Sequence, residues 1–292
     1  MKLLVIGENA VDIIIRADVD FSKEENVFPE EKLITPAGTG INFSVASLQL
    51  GLKPFYFCPI STDEFGSSIL KYFKALNLQF FRAQSNKPTP LIITILNHEG
   101  VRNTIAMIKD TSYTDILFES FKEINREFDF AYISGGIITE KTPQIEVTKI
   151  TKYLEKQGTF IFFDPQFRIG KGLEGFFECS TNLLDLSSMI FANENEFKEI
   201  PASSVQRKID KGCVFVIKKG KLGASLISKS LNLYVEGLNV NAKDTTGAGD
   251  IFNAAFISKY VKGFKLYDCL EFANKVAALS TEKLGIAVPS TE

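Results

Sequence analysis

Seven consecutive residues, Asp244-Thr245-Thr246-Gly247-Ala248-Gly249-Asp250, combine an anion-binding backbone with an acid. The apolar run Ile251–Ile257 follows at once and reads as a buried helix. A Gly-Ala-Gly turn that opens a helix leaves backbone N–H groups without helical partners, at the positive end of the helix dipole. Such an end holds phosphate or stabilises a migrating anionic group. Asp250, in the first turn, then stands beside that anion hole, where a carboxylate can take a proton from an attacking hydroxyl. An ordinary N-capped helix after a glycine turn has the same local sequence, so the rest of the chain must decide.

Other groups could serve the same chemistry, each weakly when taken alone. Pro36-Ala37-Gly38-Thr39-Gly40-Ile41-Asn42 leads into a helix; its glycines let the backbone approach a ligand, and Asn42 can donate to and accept from hydroxyls. Asp12 lies just after the first strand, where a carboxylate can accept from two neighbouring hydroxyls of a polyol. Asp164-Pro165-Gln166-Phe167-Arg168 and Asn193-Glu194-Asn195-Glu196 each follow a strand. The second group suits hydrated Mg²⁺ and phosphate oxygens, because Mg²⁺ keeps several waters and needs one or two carboxylates. An N-capping segment with acids in its first turn fits those residues as well. Lys218-Lys219-Gly220-Lys221-Leu222-Gly223 is a turn between strands Val214–Ile217 and Ala224–Ser228, and lacks the Gly-Lys-Ser/Thr of a P-loop.

The elements that must position these residues alternate. Strands are predicted at Leu3–Ile6, Phe55–Pro59, Phe130–Ser134, Phe160–Asp164, Met189–Asn193 and Val214–Lys218. Helices are predicted at Asn42–Leu50, Phe65–Leu76, Asp115–Phe128, Thr142–Gln157, Glu196–Ile200, Ala248–Val261 and Leu266–Leu284. Such alternation implies an α/β fold: a doubly wound, mostly parallel sheet flanked by helices, with ligands beyond the carboxyl ends of the strands. Asp164, Asn193 and Lys218 would lie there. Two stretches interrupt the pattern, about 12–36 and 88–108, both extended and rich in β-branched residues. Inserted on a single α/β domain spanning 1–292, they would form a small β-sheet lid; two surface hairpins are the alternative.

Composition narrows the classes. Lys plus Arg (33) nearly balances Asp plus Glu (35), and no basic stripe suggests nucleic acid. The four cysteines are scattered, without the pairing of a zinc or redox motif, and suit reduced thiols in a cytoplasmic protein. The N-terminal apolar run is too short for a signal peptide or membrane span. The single histidine, His98, makes a Ser-His-Asp triad improbable and reads as a hairpin-turn residue. Gly7 belongs to no dinucleotide-binding fingerprint, which removes a nicotinamide-dependent Rossmann enzyme.

Together, and in this order, the segments resemble the ribokinase-like, or PfkB, carbohydrate kinases. Gly38–Asn42 matches that family's first signature and Asp244–Asp250 with Ile251-Phe252-Asn253 its second. Asn193–Glu196, Gly220–Gly223, Phe272-Ala273-Asn274, Gly285 and Pro289 also fall where the family has such residues. The resemblance implies an ATP-dependent phosphotransferase acting on a hydroxyl of a small sugar-like substrate. Asp250 would be the base, and the amides of Gly247, Ala248 and Gly249 the anion hole. Asp12, Gly38, Thr39 and Asn42 would bind the sugar. Asn193 and Glu196 would organise Mg²⁺ and phosphate, while Lys218, Gly220, Gly223 and Asn274 would line the ATP site. Asp244, Thr246 and Gly285 match positions at which relatives hold K⁺.

Departures from the family pattern leave the substrate open. Ala37-Gly38 replaces a common Gly-Gly pair, and Thr39 stands where ribokinases proper carry lysine. Ile133-Ser134-Gly135-Gly136 lacks a carboxylate that some ribokinases use. Ketoses, sugar acids and nucleosides all remain, the last needing aromatic residues such as Phe21, Phe28 or Tyr113 to stack a base. A catalytically silent ligand-binding protein of this fold would be marked by loss of Asp250 or the glycine turn, and both are present. Hairpin edges in the lid can pair with another subunit, giving an expected homodimer.

Overall fold

A computed structural model describes residues 1–17, 28–97, 102–166, 176–283, 285–286 and 288–289. Phe21, His98 and Arg168 lie outside the described residues. The chain begins with strands β1 (Leu3–Ile6), β2 (Ala10–Arg16) and β3 (Glu31–Ala37), then helix α1 (Thr39–Gln49). Next come β4 (Pro54–Ser61), α2 (Glu64–Ala75), β5 (Gln79–Ser85), β6 (Leu91–Leu96) and β7 (Arg102–Met107). They are followed by α3 (Phe118–Lys122), β8 (Phe130–Ser134), α4 (Lys141–Lys156), β9 (Phe160–Asp164), α5 (Phe176–Leu186) and β10 (Met189–Asn193). After α6 (Glu194–Glu199), α7 (Ala202–Asp210) and β11 (Val214–Lys218), the chain ends with β12 (Ala224–Ile227), β13 (Asn232–Val235), α8 (Ala248–Tyr260) and α9 (Leu266–Ser280).

Nine strands form the main sheet in the order β13-β12-β11-β10-β9-β8-β1-β4-β5. From β11 to β5 the pairs are parallel, and β12 and β13 add antiparallel strands at one edge. Buried on both faces, the central strands need no polar alternation: Leu3, Leu4, Val5 and Ile6 are all shielded from solvent. From β1 the chain moves to β4 in one direction, and from β8 to β9, β10 and β11 in the other. Right-handed crossovers of opposite sense put helices on both faces and open a crevice at the carboxyl ends of β1 and β8.

The extended segments that break the alternation build a second, four-stranded sheet in the order β3-β2-β6-β7. Its pairs β2/β3 and β6/β7 are antiparallel, and β2/β6 is parallel.

The many phenylalanines weld the layers together. Phe43 of α1 stacks on Tyr132 of β8, with centroids 3.7 Å apart. Phe256 of α8 meets Phe191 of β10 edge-on at 5.3 Å. Such pairs add about 0.5–1.5 kcal/mol each beyond the area they bury. α8 is mostly apolar and is buried from Asp250 to Ser258, so its polar Asp250 and Asn253 must find partners inside the protein.

The expected helix over Asp115–Phe128 is broken. A 3₁₀ turn covers Ser112–Asp115, Leu117 is extended, and α3 runs only five residues before Asn125 takes φ 43°. β5, β13, α5 and α7 were not expected. β5 presents Gln79, Arg82 and Gln84 outward and lacks a continuous apolar run, while α7 is mostly polar. Among the described residues, no helix is long and apolar enough to cross a membrane.

Candidate active site

Three cavities surround the N-terminus of α8, and each is lined by part of Thr245–Asp250. Gly247 caps the helix at φ 70°, a left-handed conformation that glycine enters without cost, and a Cβ there would collide with Ile286. Two helical-type bonds close the turn: Ile251 N–H to the Gly247 carbonyl at 2.9 Å and Ala248 N–H to the Thr245 carbonyl at 3.2 Å. The Ala248 amide is therefore shared with the turn, whereas no such backbone bond engages the amide of Gly247 or Gly249 among the described residues. Asp244 braces the approach, accepting from Thr246 N–H at 2.8 Å and Gly285 N–H at 3.0 Å.

Asp250 is buried in the first turn of α8, and Asn42 Nδ2 donates to its Oδ2 at 2.9 Å across the packed α1–α8 contact. Burial pushes its carboxyl well above the usual carboxylate range. The Asn42 hydrogen bond and the Lys218 charge oppose the rise, while Asp164 and Glu8 add to it. An acid so poised accepts a proton more readily than a solvated aspartate does.

Beneath Asp250 lies a polar network that the sequence did not reveal. Asp164 Oδ2 accepts from Lys218 Nζ at 3.0 Å and from Asn253 Nδ2 at 2.6 Å, while Asp164 Oδ1 is buried without a hydrogen-bond partner among the described residues. Burial works against the Lys218 charge, but Asp164, Glu196 and Asp250 outweigh it and raise the ammonium above its ordinary value. A buried cation beside three carboxylates stays charged. Asn253, which belongs to the second signature, follows Asp250 by three residues and so falls on the same helical face.

The Asp250 cavity, about 450 Å³, is also lined by Asp164, Gln166, Asn193, Glu196 and Lys218. Asn193 and Glu196 form a capping box: Asn193 Oδ1 accepts from the Asn195 and Glu196 amides at 2.9 Å, and Glu196 Oε2 from the Asn193 amide at 2.7 Å. The helix-start reading of these residues therefore holds, and both also line the cavity. A second cavity, about 550 Å³, runs from Lys218, Gly220 and Gly223 past Leu238 and Val240 to Asn274 and Ala278. Asn274 donates to the Glu236 carbonyl at 2.8 Å, fixing one wall. Gly223, at φ 96°, packs against the Val235 carbonyl, where a Cβ would not fit.

The third cavity, about 180 Å³, joins Asp12 and Asn42 to Thr35, Thr246 and Gly285 under the second sheet. Gly38 caps α1 at φ 100°, and Thr39 Oγ1 donates to Gln166 Oε1 at 3.1 Å. Thus Asp12 and Asn42 share the smallest cavity, Gly38 and Thr39 open α1 without lining any of the three, and Lys218, Gly220, Gly223 and Asn274 line the largest. Tyr113 is not available to stack a base: it is buried in the core. Phe28 is 87% exposed.

The family model of the pfkB family carbohydrate kinases matches residues 1–292. The chain belongs to this family. It is therefore a phosphotransferase of the carbohydrate-kinase class. Among relatives of this pfkB kinase, a sugar-kinase candidate from Pyrococcus horikoshii is 27% identical, the match covering 96% of this chain and 90% of the relative. Ribokinase of Bacillus subtilis is 25% identical over 97% and 94%. An E. coli ribokinase II candidate, solved in complex with ATP and Mg²⁺, shares the fold at TM-score 0.82 and 23% identity, covering 98% of this chain and 94% of its own.

Proposed function

We propose that this kinase transfers the terminal phosphoryl group of ATP to a hydroxyl of a small sugar-like acceptor, with Asp250 as the base. One observation carries the reading: a buried acid of raised proton affinity sits in the first turn of a glycine-capped helix, where three cavities converge. The acceptor oxygen bonds to the terminal phosphorus as the bond to the bridging oxygen breaks. Its proton passes to Asp250, and ADP departs with the bridging electrons. Amides of Gly247, Ala248 and Gly249 would stabilise the charge on the moving group, which needs alignment and charge stabilisation more than covalent help.

The 550 Å³ cavity, with Lys218, Gly220, Gly223 and Asn274, suits the nucleotide: Leu238, Val240, Phe252, Ala277 and Ala278 give it apolar walls, and Gly249 of the helix tip is part of its lining. Asp12, Gly38, Thr39 and Asn42 would hold the acceptor beneath the second sheet, which would act as a lid. Asn193 and Glu196 would suit a hydrated Mg²⁺, because both line the Asp250 cavity, offer oxygen donors and are held in place by the capping box. Bound there, Mg²⁺ supplies neutralising charge to phosphate oxygens. The Asp244 carboxylate, with Thr246 and Gly285 drawn onto it, fits K⁺ near the turn; exchanging K⁺ for Na⁺ in the assay is expected to lower turnover, and equal rates would remove that role.

The test of the base is Asp250→Asn. Turnover is expected to fall by about 10²–10⁴ with the melting temperature and ATP binding kept. A variant that phosphorylates at the wild-type rate would refute the assignment.

A further inference from the structure

The second sheet joins the main domain where the chain leaves and re-enters it: before β2, after β3, before β6 and after β7. The joint before β6 is held by one carboxylate from another element. Asp63, just past the end of β4, accepts from the Thr89 amide at 2.7 Å through Oδ2 and from the Thr89 hydroxyl at 2.6 Å through Oδ1. The same Oδ1 accepts from the Gly66 amide at 2.7 Å and so caps α2. Burial works against the Asp63 charge, but the hydrogen bonds from Thr89, Gly66 and Ser61 outweigh it and hold the carboxyl below its ordinary value. A helix cap needs a single acceptor oxygen. The two bonds to buried Thr89 go beyond that need, and bonds to a charged acceptor are the strong ones.

From Thr89 the hold runs on to the smallest cavity. The carbonyl of the next residue, Pro90, accepts from the Val11 amide at 3.0 Å, and β6 then pairs with β2 in parallel, Val11 beside Leu91 and Asp12 beside Ile92. Asp12 lines that cavity together with Asn42 of α1, which belongs to the main domain, and Tyr72 of α2, the helix that Asp63 caps. The placing of Asp12 against Asn42 therefore depends on how β6 is fastened. A second fastening at the joint is weaker. Lys87 Nζ reaches Asp110 at 2.9 Å and Thr114 Oγ1 at 2.6 Å, but the Asp110 side chain is 82% exposed, and such surface pairs contribute little.

We propose that Asp63 is a positioning residue for phosphoryl transfer: by clasping Thr89 to the start of α2 it fixes β6, and through β6 the strand that carries Asp12, over the acceptor. This rests on the reading of the Asp12 cavity as the acceptor site.

The experiment separates the clasp from the cap. Asp63→Asn keeps the size of the side chain and a capping oxygen for Gly66, but sets an amide donor against the Thr89 N–H. In the full-length variant, hydrogen exchange at the amides of β2 and β6 is expected to quicken about tenfold or more over wild type, with α2 unchanged. Kinetics use Mg·ATP and whichever of D-ribose, D-fructose and adenosine the wild type phosphorylates fastest. The acceptor KM of D63N is expected to rise about tenfold, with the ATP KM within about twofold, because a displaced contact weakens only what it touches. Thr89→Val, which removes the hydroxyl and keeps the amide, is expected to shift both readouts the same way by less. Wild-type exchange at β2 and β6 in D63N overturns the proposal, whichever acceptor is turned over. So does an ATP KM that rises in step with the acceptor KM, the mark of general destabilisation. Asp12→Ala tells this failure from failure of the acceptor reading. If D12A raises the acceptor KM and D63N does not, the positioning role alone is refuted. If D12A leaves the acceptor KM unchanged, the cavity is not the acceptor site, and the role in phosphoryl transfer falls with that reading even where D63N exchanges faster.

Discussion

The two large cavities that meet at Gly249 are built on opposite principles. The one running under α8 and α9 is lined by Leu238, Val240, Ala242, Phe252, Ala277 and Ala278, apolar groups that can enclose a flat ring by shape. The one holding Asp250 is lined by Asp164, Gln166, Asn193, Glu196 and Lys218, nearly all polar or charged. Binding energy that is the same in ground and transition states lowers KM alone, whereas charge placed against the reacting atoms alters turnover. The two walls should therefore answer mutation differently. Lys218, Gly220 and Gly249 line both, at the neck where a triphosphate would cross from one to the other.

The sharpest contrast is Asp250 itself, whose replacement should abolish turnover without emptying the apolar cavity. Next come the two groups that hold its charge. Lys218 and Asn42 each favour the ionised carboxylate, so removing either raises the Asp250 proton affinity further. With Asp250 as the base, activity requires the deprotonated form, so the acid limb of the kcat/KM profile should move to higher pH in Asn42→Ala. Lys218→Met should do the same and also strand Asp164 in the interior, at about 3–5 kcal/mol of stability. Pairing it with Asp164→Asn should recover much of that stability and bring the pH limb back down, because the Asp164 charge itself raises the Asp250 proton affinity. An unmoved limb in both variants would mean that Asp250 does not titrate in catalysis. The smallest effect belongs to the apolar wall: Ala278→Phe should raise the ATP KM about tenfold with kcat nearly intact at saturation. A large kcat loss there would erase the distinction between the cavities.

Much of the frame was legible in the sequence, because buried parallel strands announce themselves as short apolar runs. Leu3–Ile6, Phe130–Ser134 and Met189–Asn193 are strands with the bounds their residue patterns imply. Elements stabilised by tertiary contact escaped notice. β5 gains its ladder from β4 despite polar residues at Gln79 and Gln84, and the helix expected after Asp115 yields to an extended Leu117. The candidate site divides the same way. Gly247 and Asp250 stand within one turn, so local sequence places them together. Glu8 belongs to no motif, and Gln166 enters the sequence reading only as part of the run Asp164–Arg168, without a role of its own.

What the sequence determined by itself is the tip of α8: only glycine takes φ 70° freely, and an acid three residues on must lie in the first turn. What the tertiary structure decided is everything that tunes that tip. Asn42 reaches Asp250 across 208 residues, Lys218 pairs with Asp164 across 54, and Glu8 enters the space left by Gly136. The reason is physical. A backbone conformation is set by neighbours in the chain, whereas the proton affinity of a buried carboxyl is set by the charges and dipoles that folding packs around it.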